Sequence, residues 1–177
     1  MLEEIIKLVE IKKKDFEYFY SLLEKDFCFA ERKVKEDELK SLENKSFKPC
    51  FICDENKIVG YFCYWDFEDF IFGEHLAILE KIRDKGFGTK FLKEFLSKIK
   101  KPFVFEIEKP ADEQSIKRKR FYERFGFTFN DFDYCQPSYH KANDGVPMIF
   151  VSYPEKLTRK RFLQISNIIK EKVYENV

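Results

Sequence analysis

With 177 residues the chain suits one domain with a sizeable core, and nothing in its composition divides it into two. Its 33 basic and 32 acidic residues leave a formal charge of +1, so no overall field draws it to nucleic acid or to a membrane surface. No apolar run is long enough to span a bilayer, and Met1-Leu2-Glu3-Glu4 lacks the basic-then-apolar form of a signal peptide, so a cytoplasmic location is expected.

Periodicity sets out the first half of the chain. Ile5 to Ile11 reads as a strand, and Asp15 to Phe27 as an amphipathic helix with Phe16, Phe19, Tyr20 and Leu23 on one side. Asp37 to Leu42 reads as a short second helix. Phe47 to Cys53 and Ile58 to Trp65 form a hairpin across the polar turn Asp54-Glu55-Asn56-Lys57, and Phe70 to Ile78 returns as a third antiparallel strand. The five cysteines are odd in number and scattered, which suits unpaired thiols in a reducing compartment. Cys50 and Cys53 have C-x-x-C spacing, but a strand sends side chains three apart to opposite faces and no second Cys or His pair exists, so no metal is expected.

The stretch after the third strand reads as a phosphate cradle. Leu76-Ala77-Ile78 ends the strand, Arg83-Asp84-Lys85-Gly86-Phe87-Gly88-Thr89 makes a basic, glycine-containing turn, and a helix follows whose buried face carries Phe91, Leu92, Phe95, Leu96 and Ile99. The glycines let backbone N–H groups approach one anion, which the positive end of the helix also faces. A P-loop would need Lys and then Ser or Thr after its last glycine, whereas Thr89 precedes Lys90. A dinucleotide fingerprint would need a small residue at Phe91.

Beyond the cradle, Phe103 to Glu108 is a strand ended by Pro110, and Asp112 caps a helix that runs through Ser115 to Phe125. Phe127 to Tyr134 and Val146 to Ser152 read as two last strands, joined by the polar loop Gln136 to Gly145. Thr158 caps a final helix with Phe162, Ile165, Ile169 and Val173 in one stripe. The run Lys117-Arg118-Lys119-Arg120 points in four directions around its helix and is not a nucleic-acid stripe.

The R-x-x-G-x-G of Arg83 to Gly88 after an L-A-I strand end resembles the acyl-CoA-binding motif of the GNAT superfamily of N-acetyltransferases, and Phe121-Tyr122-Glu123-Arg124-Phe125-Gly126-Phe127 resembles that superfamily's F/L-Y-x-x-x-G-F signature. The resemblance covers most of residues 1–154 and implies an α/β (α+β) single domain. Its mixed, mostly antiparallel central sheet would splay between strands 4 and 5 and be flanked by helices, with residues 155–177 as a C-terminal helix packed on the same domain. It implies acetyl-CoA as co-substrate and no metal. Pantetheine would lie along Leu76, Ala77 and Ile78, with pyrophosphate on the turn from Arg83 through Asp84, Lys85, Gly86 and Phe87 to Gly88 and Thr89. The resemblance also places Ser115 among the cofactor-binding residues, although Ser115 and Arg118 depart from the Asn and Ala that the family often has there, so the side-chain contact of that Asn to pantetheine does not carry over.

The same resemblance gives Tyr122 and Glu74 the catalytic roles. Tyr122 would protonate the leaving thiolate, and Glu74, two before Leu76 and so on its face, would take the amine's proton, with Glu106 and Glu108 in reserve. Tyr64-Trp65-Asp66-Phe67-Glu68-Asp69-Phe70 and Asp131-Phe132-Asp133-Tyr134 mix aromatics with carboxylates, a wall suited to a cation. The expected activity is acetyl transfer to a primary amine of a small molecule, by direct attack in a ternary complex. A protein N-terminus or lysine as acceptor, or a non-catalytic acyl-CoA sensor, are the alternatives, and both monomer and homodimer stay open.

Overall fold

The alternating and striped stretches fold into eight strands and five α-helices among the described residues, which are 6–140 and 144–175 of a computed structural model. The expected start of the first strand at Ile5 and part of the loop Gln136 to Gly145 lie outside them. The elements are β1 (Lys7–Glu10), α1 (Phe16–Asp26), α2 (Lys35–Ser41), β2 (Phe47–Asp54), β3 (Lys57–Asp66), β4 (Ile71–Ile78), α3 (Phe87–Lys98), β5 (Phe103–Glu108), α4 (Glu113–Glu123), β6 (Thr128–Asn130), β7 (Cys135–Gln136), β8 (Val146–Tyr153) and α5 (Arg159–Ile169). A π-helical segment, Lys170–Glu175, continues α5.

The sheet runs β1-β2-β3-β4-β5-β8-β6, with β7 paired to the start of β8. All pairs are antiparallel except β4 with β5. That parallel pair holds only from Ile71, Phe72 and Gly73 against Phe103, Val104 and Phe105; beyond it the two strands diverge. Helices cover both faces. One core cluster joins Phe16, Phe19 and Leu23 of α1 to Phe162, Ile165 and Ile169 of α5, together with Val173 and Tyr174. The other packs Phe91, Leu92 and Phe95 of α3 under Phe62, Phe103, Phe105 and Ile107.

The strand expected over Phe127 to Tyr134 is a correction. Only β6 joins the sheet, because the Asn130 side chain takes over at its end. Its amide donates to the Phe150 carbonyl (2.9 Å) and to Ser152 Oγ (3.0 Å), and its oxygen accepts from the Leu157 N–H (3.0 Å). The chain then leaves the sheet, Phe132 stacks on Phe162 at 4.2 Å, and Tyr134 turns inward toward β5.

Candidate active site

The divergence of β4 and β5 opens a groove of about 1390 Å³ whose walls include Leu76, Ala77 and Ile78 on one side and Tyr122 on the other. At its end lies the cradle. Asp84 and Gly86 take positive φ values of 63° and 84°, and Gly86 starts α3 with no side-chain cap. The first N–H of α3 to find a carbonyl is that of Lys90, bonded to Gly86 at 3.0 Å, so the amides of Phe87, Gly88 and Thr89 have no backbone partner among the described residues. A methyl group at Gly88 would lie 3.8 Å from both Ile78 and Phe121, in the throat between the strand end and α4.

Asp84, Gly86, Phe87, Gly88 and Thr89 line the groove, whereas Lys85 is exposed outside it. Arg83 also borders the groove, but its guanidinium braces the turn: Nε donates to the Ile78 carbonyl (3.0 Å) and Nη2 pairs with Asp26 of α1 (2.7 Å). Its guanidinium is therefore engaged in holding the shape of the turn. Ser115 is a correction. It lies outside the groove wall, and its hydroxyl closes the α4 cap, accepting from the N–H groups of Ala111 and Asp112 at 3.0 Å and donating to Asp112 Oδ1 at 2.8 Å.

Glu74 also departs from expectation. The ladder passes from Cys63 opposite His75 to Tyr64 opposite Gly73, so Glu74 is the extra residue of a β-bulge. The bulge breaks the alternation and turns Glu74 away from the face of Leu76 and Ile78. Its side chain is 0 % exposed and sits in a box of its own. Oε1 pairs with Lys33 Nζ at 3.0 Å and accepts from Tyr139 at 2.8 Å, while Oε2 accepts from Trp65 Nε1 at 2.7 Å. Burial alone would raise its pKa, but Lys33 and these donors hold it below the usual carboxylate range. A carboxylate so stabilised in its charged form is a weak base.

Lys33 completes the box. Its ammonium lies 5.0 Å from the Trp65 ring, 5.4 Å from Phe47 and 5.7 Å from Tyr139. The cation that the aromatic and acidic wall suited is thus partly the protein's own. Asp66 and Asp69 of that wall are likewise paired, with Lys101 at 2.7 Å and Arg161 at 2.8 Å. Glu38 of α2 is buried near Lys33 with both oxygens lacking partners among the described residues, and burial pushes its pKa up to about 7.

Glu106 has the opposite character to Glu74. It follows Phe105, the last residue of β5 paired to β4, and it lines the groove, partly accessible. Oε2 accepts from Tyr174 at 2.6 Å and Oε1 from Tyr134. Burial raises its pKa to about 7, against the pull of the two phenols and with a small push from Glu74. Glu108 shares its side of β5 and is exposed. Across the groove the Tyr122 ring packs on Phe105 at 4.6 Å and Phe127 at 5.5 Å, and its hydroxyl has no hydrogen bond among the described residues. Burial pushes that hydroxyl up to about 12, so it stays protonated near neutral pH.

A family model described as Acetyltransferase (GNAT) domain matches residues 46–129, from just before β2 into β6. Over that segment, just under half of the chain, the sequence matches the GNAT superfamily, and the whole adopts the GNAT fold. A GNAT-family structure from Bacteroides thetaiotaomicron superposes with a TM-score of 0.89 at 29 % identity over 96 % of this chain and 98 % of its own. A spermidine N-acetyltransferase chimera from Vibrio cholerae and hSSAT matches at TM-score 0.59 and 12 % identity, over 83 % of this chain and 93 % of its own. Arabidopsis thaliana Naa50, in complex with the bisubstrate analogue CoA-Ac-MVNAL, matches at 0.60 and 18 %, over 83 % and 97 %. The last two share the fold. No curated protein matches the chain in sequence.

In this GNAT fold the matched segment supplies the cradle, Glu106 and Tyr122, while Lys33, Tyr134, Tyr139 and Tyr174 come from outside it. Sequence reasoning passed over Lys33, Glu38, Tyr139 and Tyr174. Tyr174 follows Val173 and so stands off a regular helical stripe. The wider turn of the π segment lets both face inward, and only the neighbouring aromatic could have signalled it. Acetyl-CoA is the co-substrate of the GNAT family, and the free amides at the start of α3 and the open edges of β4 and β5 fit such a molecule. Among the described residues no helix is long and apolar enough to cross a membrane, and no cluster of metal-binding side chains occurs.

Proposed function

We propose that this GNAT protein is an acetyl-CoA-dependent N-acetyltransferase that acts on a primary amine of a small molecule, by direct attack in a ternary complex. The observation that carries the reading is Glu106, a groove-lining carboxylate with a pKa of about 7, in the same groove as the cradle and the unbonded Tyr122 hydroxyl. Acetyl-CoA brings a thioester carbonyl. The amides of Phe87, Gly88 and Thr89 hold its pyrophosphate, and the edge of β4 from Leu76 to Ile78 meets the pantetheine amides. Lys117, Arg118 and Arg120 of α4, which line the groove, stand ready for the ribose phosphate.

An amine at neutral pH is mostly protonated, and Glu106 accepts its proton before attack. The nitrogen lone pair then adds to the carbonyl, the carbon–sulfur bond breaks, the Tyr122 hydroxyl gives its proton to the departing thiolate, and the second proton shed by the acylated nitrogen restores the Tyr122 phenol through water. Glu74 takes no proton here; its carboxylate anchors Lys33, and its main chain faces the groove, since the side chain is wholly covered while the residue is not. Glu31, Glu106 and Glu108 give the groove a carboxylate lining that favours a protonated amine over a neutral or acidic acceptor.

The test is release of CoA thiol from acetyl-CoA with a panel of polyamines, amino sugars and peptide N-termini. Release well above hydrolysis with a small amine is expected. Release only with peptides would move the acceptor to proteins, and release with none, in a chain that binds acetyl-CoA, would replace the enzyme by a sensor.

A further inference from the structure

Residues past the matched segment meet the groove in several places: Gln136, Tyr139 and Met148 on its wall, and, from behind the wall, Tyr174 of the π-helical segment at Glu106 of β5. Ile169 and Val173 are fully buried and anchor this end in the core, and Tyr174, 6 % exposed, reaches from it to Glu106. Its hydroxyl lies 2.6 Å from Oε2, while Tyr134, from the loop that leaves β6, bonds Oε1. A carboxylate only accepts when ionised, so both phenols donate. Two donors leave about half of its four or so lone-pair sites for an incoming amine.

We propose that Tyr174 is a positioning residue for the acetyl-transfer base: with Tyr134 it clamps the Glu106 carboxylate, so that the C-terminal segment completes the active site. The inference rests on the reading of Glu106 as the base. Without the clamp a Glu side chain on a diverging strand edge would sample several rotamers, and the proton acceptor would not be held against the amine. The clamp also tunes the base. The charged groups that face Glu106 are Glu74 from β4, already paired with Lys33, and Glu108 along β5 itself. Tyr134 and Tyr139 approach from the loop and Tyr174 from the C-terminal end, with the Tyr139 and Tyr174 rings 4.8 Å apart. Of these, only the phenols of Tyr134 and Tyr174 bond the carboxylate and favour its ionised form.

Simple packing of Tyr174 is the competing account, and Tyr174→Phe separates the two, since it keeps the ring and removes the donor. The full-length chain, labelled with ¹³C at glutamate carboxyls, is titrated by NMR, with Glu106→Gln identifying the Glu106 signal. In Tyr174→Phe that signal should titrate about one pH unit higher than in the parent. With any amine that the enzyme accepts, the rising limb of kcat/KM should move the same way while KM for acetyl-CoA holds. An unchanged Glu106 titration in a folded variant would overturn the clamp. Should Tyr174→Phe not fold, Tyr174→Met, apolar and without the hydroxyl, carries the same expectation. A chain whose Glu106 responds in this way but acetylates no amine would retain the clamp and refute the transferase reading.

Discussion

Glu74 and Glu106 show how two carboxylates flanking one groove come to opposite chemistry. Glu74 has a buried cation and two neutral donors, which hold it ionised; Glu106 has two phenols and no cation, so burial prevails and its proton is held until about pH 7. Glu74→Gln should therefore act on stability. It leaves Lys33 buried with no ion-pair partner, a loss on the order of 3 kcal/mol less whatever Glu38 recovers by ionising toward it, read by denaturant unfolding. Glu106→Gln should keep the fold and abolish the rise of kcat/KM through about pH 7. Tyr122→Phe should lower kcat by roughly 10²-fold with KM for acetyl-CoA unchanged, because the ring still packs on Phe105 while the proton donor is lost.

Glu38 adds a pH dependence to the fold. Its native pKa of about 7 lies above the unfolded value, so the native state holds the proton more tightly. The stability this confers is fully present below the unfolded pKa and is lost as pH rises through about 7. Glu38→Gln, which mimics the neutral acid, should raise Tm above about pH 8 and change it little near pH 4, and a thermal scan at both values checks the sign.

At the scale of elements the cradle is the part most legible in the sequence, because each of its requirements is local. A turn with positive φ calls for Gly86, and a helix start for the stripe beginning at Phe91. Gly88→Asp should leave the fold intact, since a β-carbon there meets only ordinary contacts at Ile78 and Phe121 and the carboxylate can turn into the open groove, yet place a negative charge among the amides of α3. Acetyl-CoA affinity should fall by at least about tenfold in equilibrium titration, a loss that repulsion and the blocked approach together exceed. The bulge at Glu74 was not legible. Alternation predicts the face of a residue only while the ladder keeps its register, and Gly73, the one residue of Gly73-Glu74-His75 that can mark a bulge, equally answers the close approach of Phe103. The end of β6 was hidden for a similar reason, as Asn130 bonds partners 20 and 22 residues away in sequence.

Over the whole molecule, one sheet with diverging strands divides the work between its two faces. The α3 and α4 face presents the cradle and Tyr122, and the α1, α2 and α5 face presents the buried Lys33–Glu74 pair and the clamped Glu106. The groove between them is where both meet. The resemblance carried the fold from two motifs, whereas the end of the groove proposed for the acceptor depends on contacts among residues up to 68 positions apart, such as Tyr174 with Glu106, which no local pattern encodes. The claim on which the rest depends is that this groove takes acetyl-CoA. Titration calorimetry of the intact chain with acetyl-CoA tests it most directly: the account predicts saturable binding at one site per chain, lost in Gly88→Asp. No heat up to millimolar acetyl-CoA, with saturable binding of a nicotinamide or adenine dinucleotide instead, would contradict it.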